Sequence, residues 1–182
     1  MPRIYFVRHG KAAAGFSEDR DPGLNELGHA QAAALVERFS GLPPLELITS
    51  PMRRARETAV PVERFLQQHA RIIPAVAEIP SPVADLSQRG AWLRTAMAGN
   101  WADLPSELQV WRQGVVNALL ALSRDSIIFS HFIAINAAVT HALDDPRMVC
   151  FSPENCSVTI LDSIPGSLRV VELGEQANTV AG

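Results

Sequence analysis

Arg8-His9-Gly10 stands at the end of the first apolar run of the chain, and its residue types suit phosphoryl chemistry. Arginine offers a planar fork for phosphate oxygens. Histidine offers a nucleophilic ring nitrogen near neutral pH. Glycine lets the backbone come close to a ligand. Two other segments share this layout. Ser50-Pro51-Met52-Arg53-Arg54 follows the run Leu45–Thr49, and Ser130-His131 follows Ile127-Ile128-Phe129. Arg54 falls in the first turn of a predicted helix, whose free N–H groups favour an anion. Arg53 and Arg56 point away on helical geometry and are expected to be solvated. Two arginines and two histidines at one point make a compact site for a dianion such as phosphate.

These residues need elements that bring them together. Arg3–Val7 reads as a buried strand, short, β-branched and aromatic. A polar loop, 11–23, leads to a helix with Asn25 as N-cap and an apolar face of Leu27, Ala30, Ala34, Leu35 and Phe39. Gly41-Leu42-Pro43-Pro44 stops it. Leu45–Thr49 is a second strand. Ser50 then caps a second helix, with Pro51 at its first position, running to about Gln68. Arg71–Val76 is a third strand. The stretch 79–105, with Trp92 and Trp101, breaks the pattern and carries one short helix near 90–98. A long helix over 106–122, a strand over 126–130 and a helix over 131–143 follow. Strands over 157–162 and 168–173, turned by Pro165-Gly166, close the chain. Strands alternating with helices predict a three-layer α/β/α fold, a mostly parallel sheet with helices on both faces. In such a sheet the three strand ends meet on one edge, where open α/β sheets bind ligands. Residues 1–174 read as a single domain, 79–105 as a cap-like segment, and 175–182 as a frayed tail.

The chain resembles the histidine phosphatase superfamily, the group that includes phosphoglycerate mutase-like enzymes. The resemblance rests on Arg8-His9-Gly10, Leu24-Asn25-Glu26-Leu27-Gly28 with Gln31-Ala32, and Ser50-Pro51-Met52-Arg53-Arg54-Ala55 with Thr58-Ala59. It continues in Ser130-His131 and Asn155-Cys156-Ser157-Val158-Thr159. It implies a phosphohistidine intermediate on His9, with Arg8, Arg54 and His131 completing the phosphate pocket. It also implies an acidic proton donor after the third strand. Glu78 is the candidate, with Asp85 the alternative. The expected activity is metal-independent hydrolysis of a phosphomonoester, with His9, Glu78 and His131 catalytic and no cofactor. The alternatives are a phosphoglycerate-type mutase, a phosphohistidine-protein phosphatase, and a non-catalytic protein that binds phosphorylated ligands.

The chain departs from the family pattern in three places, one being the segment after Glu78, which lacks the Gly-rich signature of several branches. Lys11-Ala12-Ala13 replaces the Glu-Thr and later Asn that often follow the first motif in mutases. Phe132-Ile133 stands where glycine usually follows the second histidine. Trp92, Met97 and Trp101 read as core packing or as substrate contacts, with packing favoured. His29, His69 and His141 fall on helices away from the strand ends.

Bulk properties agree with a globular enzyme. The 182 residues are enough for one sizeable core, and 47% of them are hydrophobic. A net charge of -3 argues against a general nucleic-acid binder. The apolar stretches are too short to span a bilayer. Cys150 and Cys156 make neither a disulfide framework nor a zinc pattern and read as free thiols. The partner expected is a small phosphorylated substrate or a phosphoprotein, in the cytoplasm, with no nucleic acid and no membrane. The oligomeric state stays open.

Overall fold

Alternating side chains in the central strands feed two cores, one on each face of a six-stranded sheet. In the computed structural model, which describes residues 1–178, the sheet order is β3-β2-β4-β1-β5-β6. β1 is Arg3–Arg8, β2 Glu46–Thr49, β3 Arg71–Ile72, β4 Ser126–Ser130, β5 Val158–Ile164 and β6 Ser167–Glu172. β3, β2, β4 and β1 pair in parallel, while β5 and β6 join antiparallel. Phe6, Ile48 and Ile128 pack to one side, and Val7, Leu47 and Ile127 to the other. This is the period-2 rule applied to strands buried on both faces.

Helices α1 (Glu26–Phe39) and α2 (Arg53–Leu66) cover the second face. The first face holds α4 (Ser106–Leu120), α5 (Phe132–Ala142) and the segment containing α3 (Arg89–Met97). α5 is buried from Phe132 to Thr140, as an apolar central helix must be. Among the described residues no helix is long and apolar enough to cross a membrane.

Four local expectations are corrected. The buried face of α1 is Gly28, Ala32, Leu35 and Phe39, whereas Leu27, Ala30 and Ala34 are exposed. The rotation is set by Gly28, which lies against the Lys11 backbone so closely that a Cβ would collide with the Lys11 carbonyl. α2 begins at Arg53, not Pro51: the Ser50 hydroxyl accepts from the Met52 N–H (3.1 Å), and Met52 is still extended. The third strand ends at Ile72. Pro74 has no N–H for the ladder, and residues Pro74–Val76 form a 3₁₀ turn instead. Finally, the expected frayed tail begins tied down, since Gln176 bridges Pro153 and the Ala177 N–H donates to Ser152 (2.7 Å). Residues 179–182 of that tail lie outside the described residues.

Candidate active site

Strand register brings the chemistry together. Arg8 of β1 is level with Ser130 of β4, and Thr49 of β2 is level with Phe129. The residues one step further, His9, His131 and Ser50, therefore lie side by side at the C-terminal edge of the parallel strands. The His9 N–H donates to the Ser130 carbonyl (2.9 Å), and the Ser50 N–H to the Phe129 carbonyl (2.9 Å). Arg8, one pleat beyond Phe6, shares its face and reaches the start of α5, where its guanidinium lies 5.2 Å from the centre of the Phe132 ring.

His9 is held in one tautomer. Its Nδ1–H donates to the Gly10 carbonyl (2.7 Å), which leaves Nε2 with its lone pair. The Arg54 Nε donates to that Nε2 at 3.2 Å. The backbone around it is pinned from outside: the Gly10 N–H donates to Thr58 Oγ1 (2.9 Å), and the Asn155 amide donates to the His9 carbonyl (3.0 Å). Thr58 in turn donates to the Arg54 carbonyl (2.7 Å), so nucleophile and arginine share one support. Gly10 was expected to admit a ligand. Its missing Cβ instead admits α1, because a Cβ there would lie 2.6 Å from the Gly28 carbonyl oxygen.

Arg54 is buried while Arg53 and Arg56 are exposed, as the helix phase predicted. Arg53 pairs with Glu57 (2.8 Å). Among the described residues neither Arg8 nor Arg54 makes a salt bridge. Arg8 donates to the Pro153 carbonyl (2.8 Å), but its buried Nε has no partner. His131 is fully buried behind His9, with ring centres 5.3 Å apart. Its Nε2 is hydrogen-bonded to Ser50 Oγ (2.7 Å), and its Nδ1 has no partner. Burial, reinforced by the neighbouring arginines, holds both histidines well below their ordinary value of 6.5. Both are therefore neutral at pH 7. A protonated His131 thus requires an arriving dianion to offset Arg8 and Arg54.

Glu78 lies against the start of α5. Its carboxylate accepts from the N–H groups of Ile79 (3.0 Å), Ile133 (3.2 Å) and Ala134 (3.2 Å), the last two in the first turn of α5. Burial pushes its pKa up, against the pull of those N–H groups and of Arg54. Ser130 Oγ donates to the Val76 carbonyl (2.7 Å), tying β4 to the turn that carries Glu78. Asp85 is exposed and spends its oxygen capping the turn at Ser87 (2.9 Å). Of the two candidates, Glu78 is thus the one that lines the cavity.

Arg8, His9, Arg54, Glu78 and Phe132 share a cavity of about 60 Å³. The loop after β1 closes it with Ala12, Ala14, Gly15, Phe16, Asp19, Arg20 and Pro22, and α3 contributes Leu93. Apart from Ala12, these loop residues were not legible in the sequence because they follow no periodic pattern. Trp92, Met97 and Trp101 pack against the core, and none lines the cavity. Trp101 is buried, with its indole N–H on Thr140 (2.9 Å). His29, His69 and His141 are also away from the cavity.

An open parallel-sheet edge with paired histidines and unpaired arginines defines a class of phosphate-handling proteins, and sequence comparison agrees. The family model of the histidine phosphatase superfamily (branch 1) matches residues 4–176, so the chain belongs to that family. Glucosyl-3-phosphoglycerate phosphatase of Mycobacterium tuberculosis is 28% identical over 115 residues, 61% of this chain and 48% of that protein. An uncharacterised M. tuberculosis protein is 38% identical over 64 residues, 33% of this chain and 32% of the other. The matches thus span half or less of those relatives. Among solved structures, Entamoeba histolytica phosphoserine phosphatase, in complex with 3-phosphoglyceric acid, superposes with a TM-score of 0.77 at 16% identity, over 97% of this chain and 98% of that one. Mycobacterial glucosyl-3-phosphoglycerate phosphatase, complexed with VO3, gives 0.73 at 22% identity, over 97% of this chain and 100% of that one. These similarities show the fold.

Proposed function

We propose that the protein is a phosphomonoesterase that passes a phosphoryl group through His9. The observation that carries this reading is the unprotonated His9 Nε2, which accepts from Arg54 Nε (3.2 Å) at the wall of a cavity whose two buried arginines, among the described residues, have no carboxylate partner. Nε2 attacks phosphorus, and the bond to the leaving oxygen breaks in line with it. Arg8, Arg54 and His131 hold the other oxygens, where charge sits in the transition state. Glu78, protonated, gives its proton to the leaving oxygen. Water then attacks the phosphohistidine as Glu78 takes a proton from it, and the P–N bond breaks to restore His9. The segment 79–105 acts as a cap through Leu93. The phosphatase names of the relatives support hydrolysis, and the small cavity favours a compact phosphorylated metabolite.

The test is a trapped intermediate. Denaturing quench of the protein with ³²P-labelled p-nitrophenyl phosphate should leave an acid-labile, alkali-stable label on wild type and none on His9→Gln. A His9→Gln chain that keeps more than a few per cent of turnover overturns the assignment.

A further inference from the structure

The Arg8 fork is aimed by a stretch of backbone that takes no part in the phosphoryl chemistry. Among the described residues its guanidinium donates one hydrogen bond, from Nη1 to the Pro153 carbonyl (2.8 Å), and its buried Nε has no partner. Whatever fixes that carbonyl therefore fixes the fork. Pro153 lies between α5 and β5, in a stretch that is neither helix nor strand. Both ends of this stretch are anchored. On one side the Asn136 amide of α5 donates to the Phe151 carbonyl (3.1 Å), and the Asn136 Oδ1 accepts from the Cys150 N–H (3.0 Å). On the other the Cys156 N–H donates to the Arg8 carbonyl (2.9 Å), and the Asn155 amide to the His9 carbonyl (3.0 Å).

The middle, Ser152-Pro153-Glu154, is held by the segment that follows β6. Gly174 lets that segment cross β5 closely: its N–H donates to Thr159 Oγ1 (3.2 Å), and a Cβ there would lie 3.0 Å from Ser157 Oγ. Gln176 then pairs antiparallel with Pro153. The Glu154 N–H donates to the Glu175 carbonyl (2.8 Å), and the Ala177 N–H to the Ser152 carbonyl (2.7 Å). In an antiparallel ladder the residue between two such bonds turns its own N–H and C=O to the far side. Here that residue is a proline, which has no N–H to leave unpaired, and its outward carbonyl is the one that Arg8 meets. The Gln176 side chain adds only an exposed bond, accepting from the Ser152 N–H (3.3 Å).

We propose that residues 175–177 are a positioning strap for Arg8: their backbone pairs with Ser152 and Glu154 and so points the Pro153 carbonyl at the guanidinium. This rests on reading Arg8 as a ligand of the transferring phosphoryl group. None of the three residues lines the cavity, so the strap acts through Arg8 and touches no substrate. Its action is carried by main-chain bonds, which makes it specific to position and indifferent to side-chain type.

The test is a thermodynamic cycle on the full-length chain, with vanadate binding read by calorimetry so that turnover is not needed. Ala177→Pro removes the N–H that Ser152 accepts and should weaken vanadate at least fivefold, with a matching loss of kcat/KM for p-nitrophenyl phosphate. Ala177→Ser, which keeps that N–H, and Gln176→Ala should stay within twofold of wild type. Arg8→Gln should weaken vanadate tenfold or more, with Arg54 and His131 keeping it measurable. In the Arg8→Gln background, Ala177→Pro should cost less than twofold further, because no guanidinium is left to aim. A merely structural tail would carry the same penalty into both backgrounds. Should Ala177→Pro lower the thermal midpoint by several degrees, Gln176→Gly loosens the same pair through backbone entropy while keeping every main-chain donor, and it is read in the same cycle with a threefold loss expected. Wild-type vanadate affinity in the strap variants, or an equal loss with and without Arg8, overturns the strap while leaving Arg8 as a phosphate ligand. Wild-type affinity in Arg8→Gln would instead refute that reading of Arg8, and the strap with it.

Discussion

At the scale of single residues, the site is a set of polar groups kept ready by burial. Arg54 is the clearest case, because one helical step separates it from the solvated Arg53. Arg54→Ala removes charge-assisted hydrogen bonds worth about 1.5–3 kcal/mol each. It should weaken vanadate inhibition and lower kcat/KM for p-nitrophenyl phosphate by one to two orders of magnitude, by roughly ten-fold per 1.4 kcal/mol. Arg53→Ala should change either value by less than threefold; the reverse pattern would refute the placement. Titration gives a second test. His9 and His131 are held neutral well below 6.5 in the folded chain, whereas unfolded histidines protonate near that value. Above pH 6.5 both states are neutral and these groups contribute no slope. As pH falls below it the unfolded state binds protons that the folded state refuses, and stability drops, at most about 1.4 kcal/mol per group per pH unit. Glu78, raised by burial, acts in the opposite sense over its own range. Urea midpoints should therefore fall between pH 7.5 and 5.5, and most of that fall should vanish in a His9→Gln, His131→Gln double variant. A wild type with equal midpoints at the two pH values would count against buried neutral histidines.

At the scale of elements, the decisive contact is between the loop after β1 and the first turn of α1. Asn25 caps α1 by accepting from the Gly28 N–H (2.8 Å), its own N–H donates to the Lys11 carbonyl (2.9 Å), and Gln31 accepts from the Lys11 N–H (2.9 Å). Gly10 and Gly28 let the two backbones touch. Gly28→Ala would force the loop from the helix, with the cost of an overpacked core, typically 1–3 kcal/mol. It should lower the thermal midpoint by several degrees and also reduce kcat, because the Gly10 carbonyl that fixes the His9 tautomer moves with the loop. Gly41, whose Cβ would meet nothing within 4 Å, is the control: Gly41→Ala should change neither property. A Gly28→Ala protein with wild-type kcat and midpoint would show that the contact is dispensable.

At the scale of the whole molecule, one sheet edge is asked to release a leaving group or to retain it for return. A mutase must shield its intermediate from water and hold the acceptor with dedicated groups. Here Ala12 and Ala14 of the loop, together with Leu93 and Phe132, make much of the wall apolar. Net hydrolysis is the expected outcome. With 3-phosphoglycerate primed by 2,3-bisphosphoglycerate, inorganic phosphate should exceed the 2-phosphoglycerate formed, and 1 mM EDTA should not change the rate. Rapid isomerisation with little free phosphate would promote the mutase reading.

Much of this was legible along the chain because it depends on local pattern. The strand Ser126–Ser130 was read to the residue, since a short apolar run between turn signals has few other fates. Arg8, His9, Arg54 and His131 were legible because three strand ends repeat one layout, and parallel pairing makes such ends meet. What the tertiary structure alone decided is whatever depends on approach between distant segments. The rotation of α1 follows from backbone contact with Lys11, not from its own apolar residues. The truncation of β3 follows from Pro74 at a sheet edge. The choice of Glu78 over Asp85 follows from the first turn of α5, whose N–H groups and buried surroundings act on only one of the two. Side-chain type names the chemistry a residue can do; distance and desolvation, which arise only on folding, select the residues that do it.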